Sequence, residues 1–236
     1  MSQRYFLAQP PEGHTVVLDG DEARHLSRVM RAQPGDSLTL FDGAGRSWPA
    51  TIISLDRNRV ELALGEVVAE PTNTGRAVTL AVALPKGDRQ KWLIEKLTEL
   101  GVTRLIPLRS TRSVAEPTAA ALDRLRRGVI EACKQCGRSR LLEIGPPQSL
   151  ADLLASAAET SLRLLTDREG VPFATLDAAG RNDLLAAIGP EGGFTPDEIA
   201  AAEAAGFIRV SLSRQILRIE TAAVALAAVA GQGHSA

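Results

Sequence analysis

Cysteine, histidine and long apolar runs are scarce in this chain, and each shortage removes a class of function. The two cysteines, Cys133 and Cys136, form one C-x-x-C with no second pair to complete a zinc site, and His14, His25 and His234 show no metal-ligand spacing. No metal is expected. Both cysteines continue a helical pattern set by Leu122, Leu125, Val129 and Ile130, which favours a structural place on or beside a buried face and leaves a redox pair as the alternative. The longest apolar run, Ala222 to Ala230, is roughly half of what a membrane-spanning helix needs and is dominated by alanine. With no signal peptide apparent, a cytoplasmic protein without membrane contact is expected. Neither GxxxxGK[ST] nor GxGxxG occurs, so ATP hydrolysis and the usual dinucleotide fingerprint lose support. So few histidines suggest no Ser/His/Asp or Cys/His nucleophile set.

What is present is ordinary in bulk and uneven in detail. The 236 residues are 44% hydrophobic and 23% charged, with a net charge of -1, which suits one large or two small soluble domains. Between Arg104 and Arg140, however, nine basic residues face three acidic ones, whereas the stretch after Arg140 carries six basic and twelve acidic. A basic field confined to one region suggests contact with a polyanion, and a solvated arginine-rich helix is the plain alternative.

Residues 1–70 read as a small β-rich unit. Short apolar or alternating runs at Thr15–Leu18, Ser37–Phe41, Ser47–Ile53 and Val60–Val67 are separated by turn chemistry at Pro34-Gly35-Asp36, Asp42-Gly43-Ala44-Gly45 and Asp56-Arg57-Asn58. One helix, Glu22 to Met30 with Asp21 as its cap, turns Ala23, Leu26, Val29 and Met30 inward. Such a unit suggests a small barrel. Residues 71–75 read as a linker. Over 76–236 strands alternate with helices, which predicts a mainly parallel α/β domain. Its strand exits include Pro85-Lys86-Gly87-Asp88-Arg89 and Arg109-Ser110-Thr111-Arg112, on the side where such sheets bind ligands. The helix from Lys91 to Leu100 carries Trp92, Leu93, Leu97 and Leu100 on its apolar side.

Two stretches stand out. Ile188-Gly-Pro-Glu-Gly-Gly-Phe194 joins a buried strand to a helix start capped by Thr195 with Pro196 in its first turn. Its glycines strip side chains from the loop, so a flat ligand can lie against bare backbone; a tight turn without ligand is the alternative. Downstream, Leu212-Ser-Arg-Gln-Ile-Leu-Arg-Ile-Glu-Thr-Ala222 sets Arg218 and Glu220 among Ile216, Leu217 and Ile219. Charge in such company needs a partner, whether each other, a ligand or a second subunit. Three strand exits, at Thr166, Gly189 and Leu212, therefore crowd the last third. A reaction needing no protein nucleophile, such as methyl transfer from a sulfonium cofactor, suits these residues.

The blocks Lys86-Gly-Asp-Arg89, Trp92-Leu-Ile-Glu-Lys96, Thr98-Glu-Leu-Gly-Val102, Glu131-Ala-Cys-Lys-Gln-Cys-Gly-Arg138, Ile188 to Phe194 and Ile216-Leu-Arg-Ile-Glu-Thr-Ala222 resemble the ribosomal RNA small subunit methyltransferase E family. Arg4-Tyr-Phe6, His25-Leu26, Val29-Met-Arg31, Gly35-Asp36 and Phe41-Asp-Gly43 match its N-terminal pattern. The resemblance implies a PUA-like RNA-binding barrel followed by a SPOUT-type α/β domain with a trefoil knot. It also implies a homodimer that uses S-adenosylmethionine to methylate N3 of one uridine in 16S rRNA of the small ribosomal subunit. On that resemblance the cofactor is held by Leu165, Thr166, Ile188, Gly189, Pro190, Glu191, Gly192, Gly193, Leu212, Ser213, Gln215, Ile216, Leu217, Thr221 and Ala222. Ser213 and Gln215 stand where the family usually has Gly and often Arg, which calls the loop geometry there into question. Arg218 is the candidate for stabilising a developing imide anion, and Glu220 for orienting it or accepting the proton; an Arg/Glu pair fixing the knot or dimer is the alternative. Arg4, Arg24, Arg28, Arg31, Lys86, Arg89, Arg109, Arg112 and Arg138 are the candidate RNA contacts. A noncatalytic RNA-binding assembly factor and a nucleotide-dependent oxidoreductase are the competing functions.

Overall fold

The structure, a computed structural model, describes residues 3–71, 76–113, 117–158, 161–176 and 183–231. Most of the expected linker, residues 72–75, lies outside them. The chain divides into two compact units, one of Met1–Thr72 with Ile130–Leu141 and one of Asn73–Val129 with Leu142–Ala236.

In the first unit, β1 (Arg4–Phe6), β2 (Thr15–Asp19), β3 (Ser37–Phe41), β4 (Arg46–Leu55), β5 (Arg59–Leu64) and β6 (Val68–Ala69) form a half-barrel sheet. Its order is β1-β3-β4-β5-β2, with β6 on β4; β1 joins β3 in parallel and the other pairs are antiparallel. Alternation works as period two requires: Trp48, Ala50 and Ile52 of β4 are buried while Pro49, Thr51 and Ile53 are exposed. Tyr5, Leu18, Leu26, Leu38, Leu40 and Leu62 meet in one core. The helical segment differs from its expected form. α1 (Gly20–Arg24) starts after Asp19, not Asp21, and continues as a π-helical turn from His25 to Val29. Met30, expected to face inward, is instead 40% exposed.

In the second unit, β7 (Val78–Val82), α2 (Asp88–Glu99), β8 (Arg104–Arg109), α3 (Ala119–Cys136), β9 (Glu143–Ile144), β10 (Gln148–Ser149), α4 (Leu150–Ser156), β11 (Leu162–Pro172), β12 (Leu184–Ile188), α5 (Pro196–Ala204), β13 (Ile208–Ser211) and α6 (Ile219–Gly231) follow in turn. The last part of α3 belongs to the first unit. The sheet is parallel throughout, in the order β10-β8-β7-β12-β11-β13, with β9 also on β8. Every residue of β12 is buried, as a strand covered on both faces demands. α4 and α5 pack with Ala81, Ile106, Leu165 and Ala187 on one face, and α2 and α6 pack together with α6 against β7 and β12. Winding proceeds from β7 outward to β8 and β10, while β12 is inserted between β7 and β11. That reversal is where parallel sheets open a crevice beyond their strand ends.

Candidate functional site

The exits of β11, β12 and β13 enclose a cleft of about 530 Å³, within the usual range for small-molecule sites. Ile188, Phe194, Val210, Leu212, Leu217 and Ala222 supply an apolar wall, and Asp167, Glu169, Glu191, Arg209, Ser213 and Gln215 a polar one. Such a mixture suits a ligand with a flat apolar part and a charged tail.

The glycine loop is shaped from within. Phe194 is buried, and a Cβ on Gly189 would come within 3.0–3.2 Å of its ring. Gly193 sits at φ +66° with its N–H on the Pro190 carbonyl at 2.8 Å, a conformation that costs other residues about 1–2 kcal/mol. Thr195 and Glu198 then form a full capping box at the start of α5. Glu198 does more than cap. Its Oε1 accepts from the Thr111 N–H at 2.7 Å and its Oε2 from the Thr195 N–H at 2.8 Å, tying the exit of β8 to the exit of β12. Burial alone would raise its carboxyl, but the hydrogen bonds from Thr111 and Thr195 outweigh that and hold it below the usual range. Arg112 lies beside this link and donates to the Gly192 carbonyl at 2.5 Å and the Phe194 carbonyl at 3.4 Å.

On the β11 side, Thr166 Oγ1 donates to the Ala187 carbonyl at 3.2 Å. Thr166 and Val171 both pair with Val210, so Asp167–Gly170 leave the ladder as an excursion. Arg209 meets Asp167 at 3.3 Å. On the β13 side the doubtful positions resolve. Ser213 is not left-handed, since Arg31 is the one described non-glycine residue with positive φ. Its hydroxyl accepts from the Gln215 N–H and lies 3.1 Å from Gln215 Oε1, and its carbonyl accepts from Ser211 Oγ at 3.0 Å. Serine thus builds the turn by hydrogen bonding where glycine would build it by backbone freedom.

Thirteen of the residues expected to hold a cofactor line this cleft; Leu165 is instead in the core and Thr221 lies on the exposed side of α6. Arg218 is exposed at the start of α6. Glu220 is buried, and its cation is Arg89, whose Nη1 lies 3.7 Å from Glu220 Oε2 and 3.5 Å from Glu191 Oε1. Glu220 Oε2 has no hydrogen bond in the described structure. Glu220 is not on the cleft wall, whereas Glu191 is. In the first unit, Arg4 donates to Ser139 Oγ at 2.7 Å and covers the Phe41 ring, Arg24 pairs with Asp21, and Arg28 and Arg31 are exposed. Burial lowers the Arg138 guanidinium somewhat. Lys86 and Arg109 are exposed. Sequence reasoning missed Glu198 and Arg209 as parts of the site, and it named Phe194 only as the end of the glycine stretch. The T-P-D-E cap signal at 195–198 could have found Glu198; nothing local marks Arg209.

Residues 72–231 match the sequence model of the RNA methyltransferase domain, and residues 18–64 match that of the RNA methyltransferase PUA domain. Ribosomal RNA small subunit methyltransferase E of Synechocystis sp. is 37% identical over 91% of this chain and 72% of its own length. That of Mycobacterium tuberculosis is 33% identical over 95% and 89%. The crystal structure of a ribosomal RNA small subunit methyltransferase E from Neisseria gonorrhoeae bound to S-adenosyl methionine superposes with a TM-score of 0.89, at 30% identity, covering 97% of this chain and 96% of that one.

Proposed function

The chain belongs to the ribosomal RNA small subunit methyltransferase E family, and we propose that it methylates N3 of a specific uridine in 16S rRNA of the small ribosomal subunit, using S-adenosylmethionine. The second unit is of SPOUT type and the first is PUA-like. The observation that carries the reading is the cleft itself, where a side-chain-poor glycine loop meets an apolar wall and a charged rim.

Backbone groups of Gly189–Gly193 and of Leu212–Leu217 hold the cofactor, with Leu165 in the core behind them and Thr221 in the first turn of α6. When bound, S-adenosylmethionine supplies an electrophilic methyl group on sulfonium sulfur. The protein must then present a base taken out of its stack and manage the loss of its N3 proton. Arg218, accessible at the start of α6, stabilises the developing imide anion. Glu220, away from the cleft wall, acts on a neighbouring cation rather than on the base. Exposed basic groups, among them Arg28, Arg31, Lys86 and Arg109, contact RNA phosphates. A homodimer in the cytoplasm completes the proposal: Trp92 and Val229 on α2 and α6, and Ile216 just before α6, are 43%, 46% and 77% exposed, apolar surface that a second copy would cover.

The test is calorimetric titration of S-adenosylmethionine, then methyl transfer to small subunits lacking the modification, with the product nucleoside mapped by mass spectrometry. One cofactor per chain and N3-methyluridine at one site are expected. Methylation of another base or of ribose would overturn the position, and cofactor-free RNA binding would turn the protein into an assembly factor. Arg218→Ala should bind cofactor normally and lose about 10²-fold or more in turnover; native turnover would remove Arg218 from the reaction.

A further inference from the structure

Of the four cations at the exits of β7 and β8, Lys86, Arg89, Arg109 and Arg112, Arg89 is half-exposed and Arg112 exposed, yet both are engaged by the glycine loop. Arg112 spends Nη1 on two carbonyls of the glycine loop, those of Gly192 and Phe194, and its Cδ lies 3.3 Å from where a Cβ on Gly192 would stand. The residue before it is fixed independently, because Glu198 accepts from the Thr111 N–H and from the Thr195 N–H at once. Arg89 reaches the same loop from another strand exit. Its Nη1 is shared between Glu191, on the cleft wall, and Glu220, whose side chain is 8% exposed.

The oddity at Glu220 explains why Arg89 is held there. A carboxylate oxygen this buried and without a hydrogen bond is destabilising unless a cation stays near it. Arg89 is that cation, so it is retained beside α6 and reaches Glu191 from a fixed base. One arginine therefore links the glycine loop to α6, and the other links it to the exit of β8.

Resting on the cofactor-binding reading above, we infer that Arg89 and Arg112 are positioning residues that clamp the glycine loop in its ligand-receiving shape and set cofactor affinity rather than RNA affinity. The two clamps are unequal. Arg112 makes charge-assisted hydrogen bonds to backbone, whereas the Arg89–Glu191 pair is longer and half-exposed, and such pairs contribute little. Arg112→Ala should therefore weaken S-adenosylmethionine binding by about tenfold or more, and Arg89→Ala by about threefold. Arg89→Lys, which keeps a cation beside Glu191 and Glu220 without altering the cleft wall, should recover part of that loss.

The experiment uses the full chain and two readouts: calorimetry with S-adenosylmethionine, and the salt dependence of binding to a 16S rRNA transcript. For Arg112→Ala the expected result is a raised cofactor Kd and KM with kcat retained at saturating cofactor, and an RNA salt slope equal to that of the unaltered chain. Arg112→Lys should recover part of the affinity. Arg109→Ala and Lys86→Ala, by contrast, should each flatten the salt slope by about one phosphate contact. Native cofactor affinity in Arg112→Ala and Arg112→Lys, or a flattened RNA slope in either, overturns the clamp. If the unaltered chain binds no S-adenosylmethionine, the functional reading fails first and the clamp fails with it.

Discussion

Two glycine-rich loops, Asp42–Gly45 in the first unit and Gly189–Gly193 in the second, look alike in sequence and differ in how much of the space their missing side chains leave is filled by protein. At Gly43 (φ +75°) a Cβ would stand 2.7 Å from Leu141 Cγ, and at Gly45 it would stand 2.5 Å from the Arg140 guanidinium. The protein fills that loop itself: Gly45 N–H donates to the Ser139 carbonyl and Leu141 N–H to the Gly43 carbonyl at 2.9 Å. At Gly193 nothing lies within 4 Å of the added atom, and the loop opens on the cleft. Phe194 and Arg112 take the room beside Gly189 and Gly192, so the second loop differs from the first at Gly193, where the vacated room is left to a ligand.

The comparison breaks most readily at Gly43. Alanine there combines a left-handed backbone with a collision against a packed leucine, for an expected loss of about 2–4 kcal/mol in unfolding free energy. Urea denaturation measures this, and cofactor affinity should be unchanged. Native stability in Gly43→Ala would mean that Leu141 yields freely and that the first loop is not filled in any meaningful sense. Gly193→Ala should lose only the backbone cost, about 1–2 kcal/mol, while cofactor affinity falls by more than that loss would suggest. Equal effects on folding and on binding would erase the distinction between the loops.

A smaller effect concerns acid. Each loop is pinned by a carboxylate held below its ordinary value. Burial alone would raise Asp42, but hydrogen bonds from the Ala44 N–H and from Arg46 outweigh it, as those from Thr111 and Thr195 do at Glu198. Folded values below unfolded ones mean stability that is fully present above the unfolded pKa, about 4, and lost as pH falls through the folded value. Nothing should therefore be lost near pH 7. Asp42→Asn and Glu198→Gln should therefore each flatten the acid limb of stability, by about 1 kcal/mol, and Glu198→Gln should in addition weaken cofactor binding at neutral pH. Weakened cofactor binding in Asp42→Asn with none in Glu198→Gln would reverse the roles given to the loops.

Much of this was legible in the sequence because it is local. Period-two alternation gave the strands, Thr195-Pro-Asp-Glu198 gave the start of α5, and the crowding of the exits at Thr166, Gly189 and Leu212 pointed to the cleft. What could not be read depends on partners distant along the chain. Arg218 and Glu220 look like a pair because they are neighbours, yet the cation of Glu220 is Arg89 in α2. Trp92 fits the apolar stripe of its helix but is 43% exposed, since periodicity assigns a face without saying how far the cover extends. The grouping of Ile130–Leu141 with the first unit has no local mark at all, because α3 runs through that point unbroken.

That same segment gives the last test, which begins with the unaltered chain. Cys133 is buried and Cys136 exposed, so the pattern that places both on or beside an apolar face holds for one of them. Burial, with the nearby Cys136, pushes the Cys133 thiol up to about 12, so almost no thiolate exists at neutral pH. Its Sγ donates to the Arg140 carbonyl at 3.8 Å, within the residues 139–141 that fill the Asp42–Gly45 loop. Iodoacetamide should therefore modify Cys136 promptly and Cys133 only when residues 139–141 lift away. In Gly43→Ala the Cys133 rate should rise while the Cys136 rate stays level, read as site-resolved mass spectrometry over time. Gly193→Ala should move neither. If Cys133 instead reacts as fast as Cys136 in the unaltered chain, residues 139–141 do not cover it, and the first loop is as open as the second.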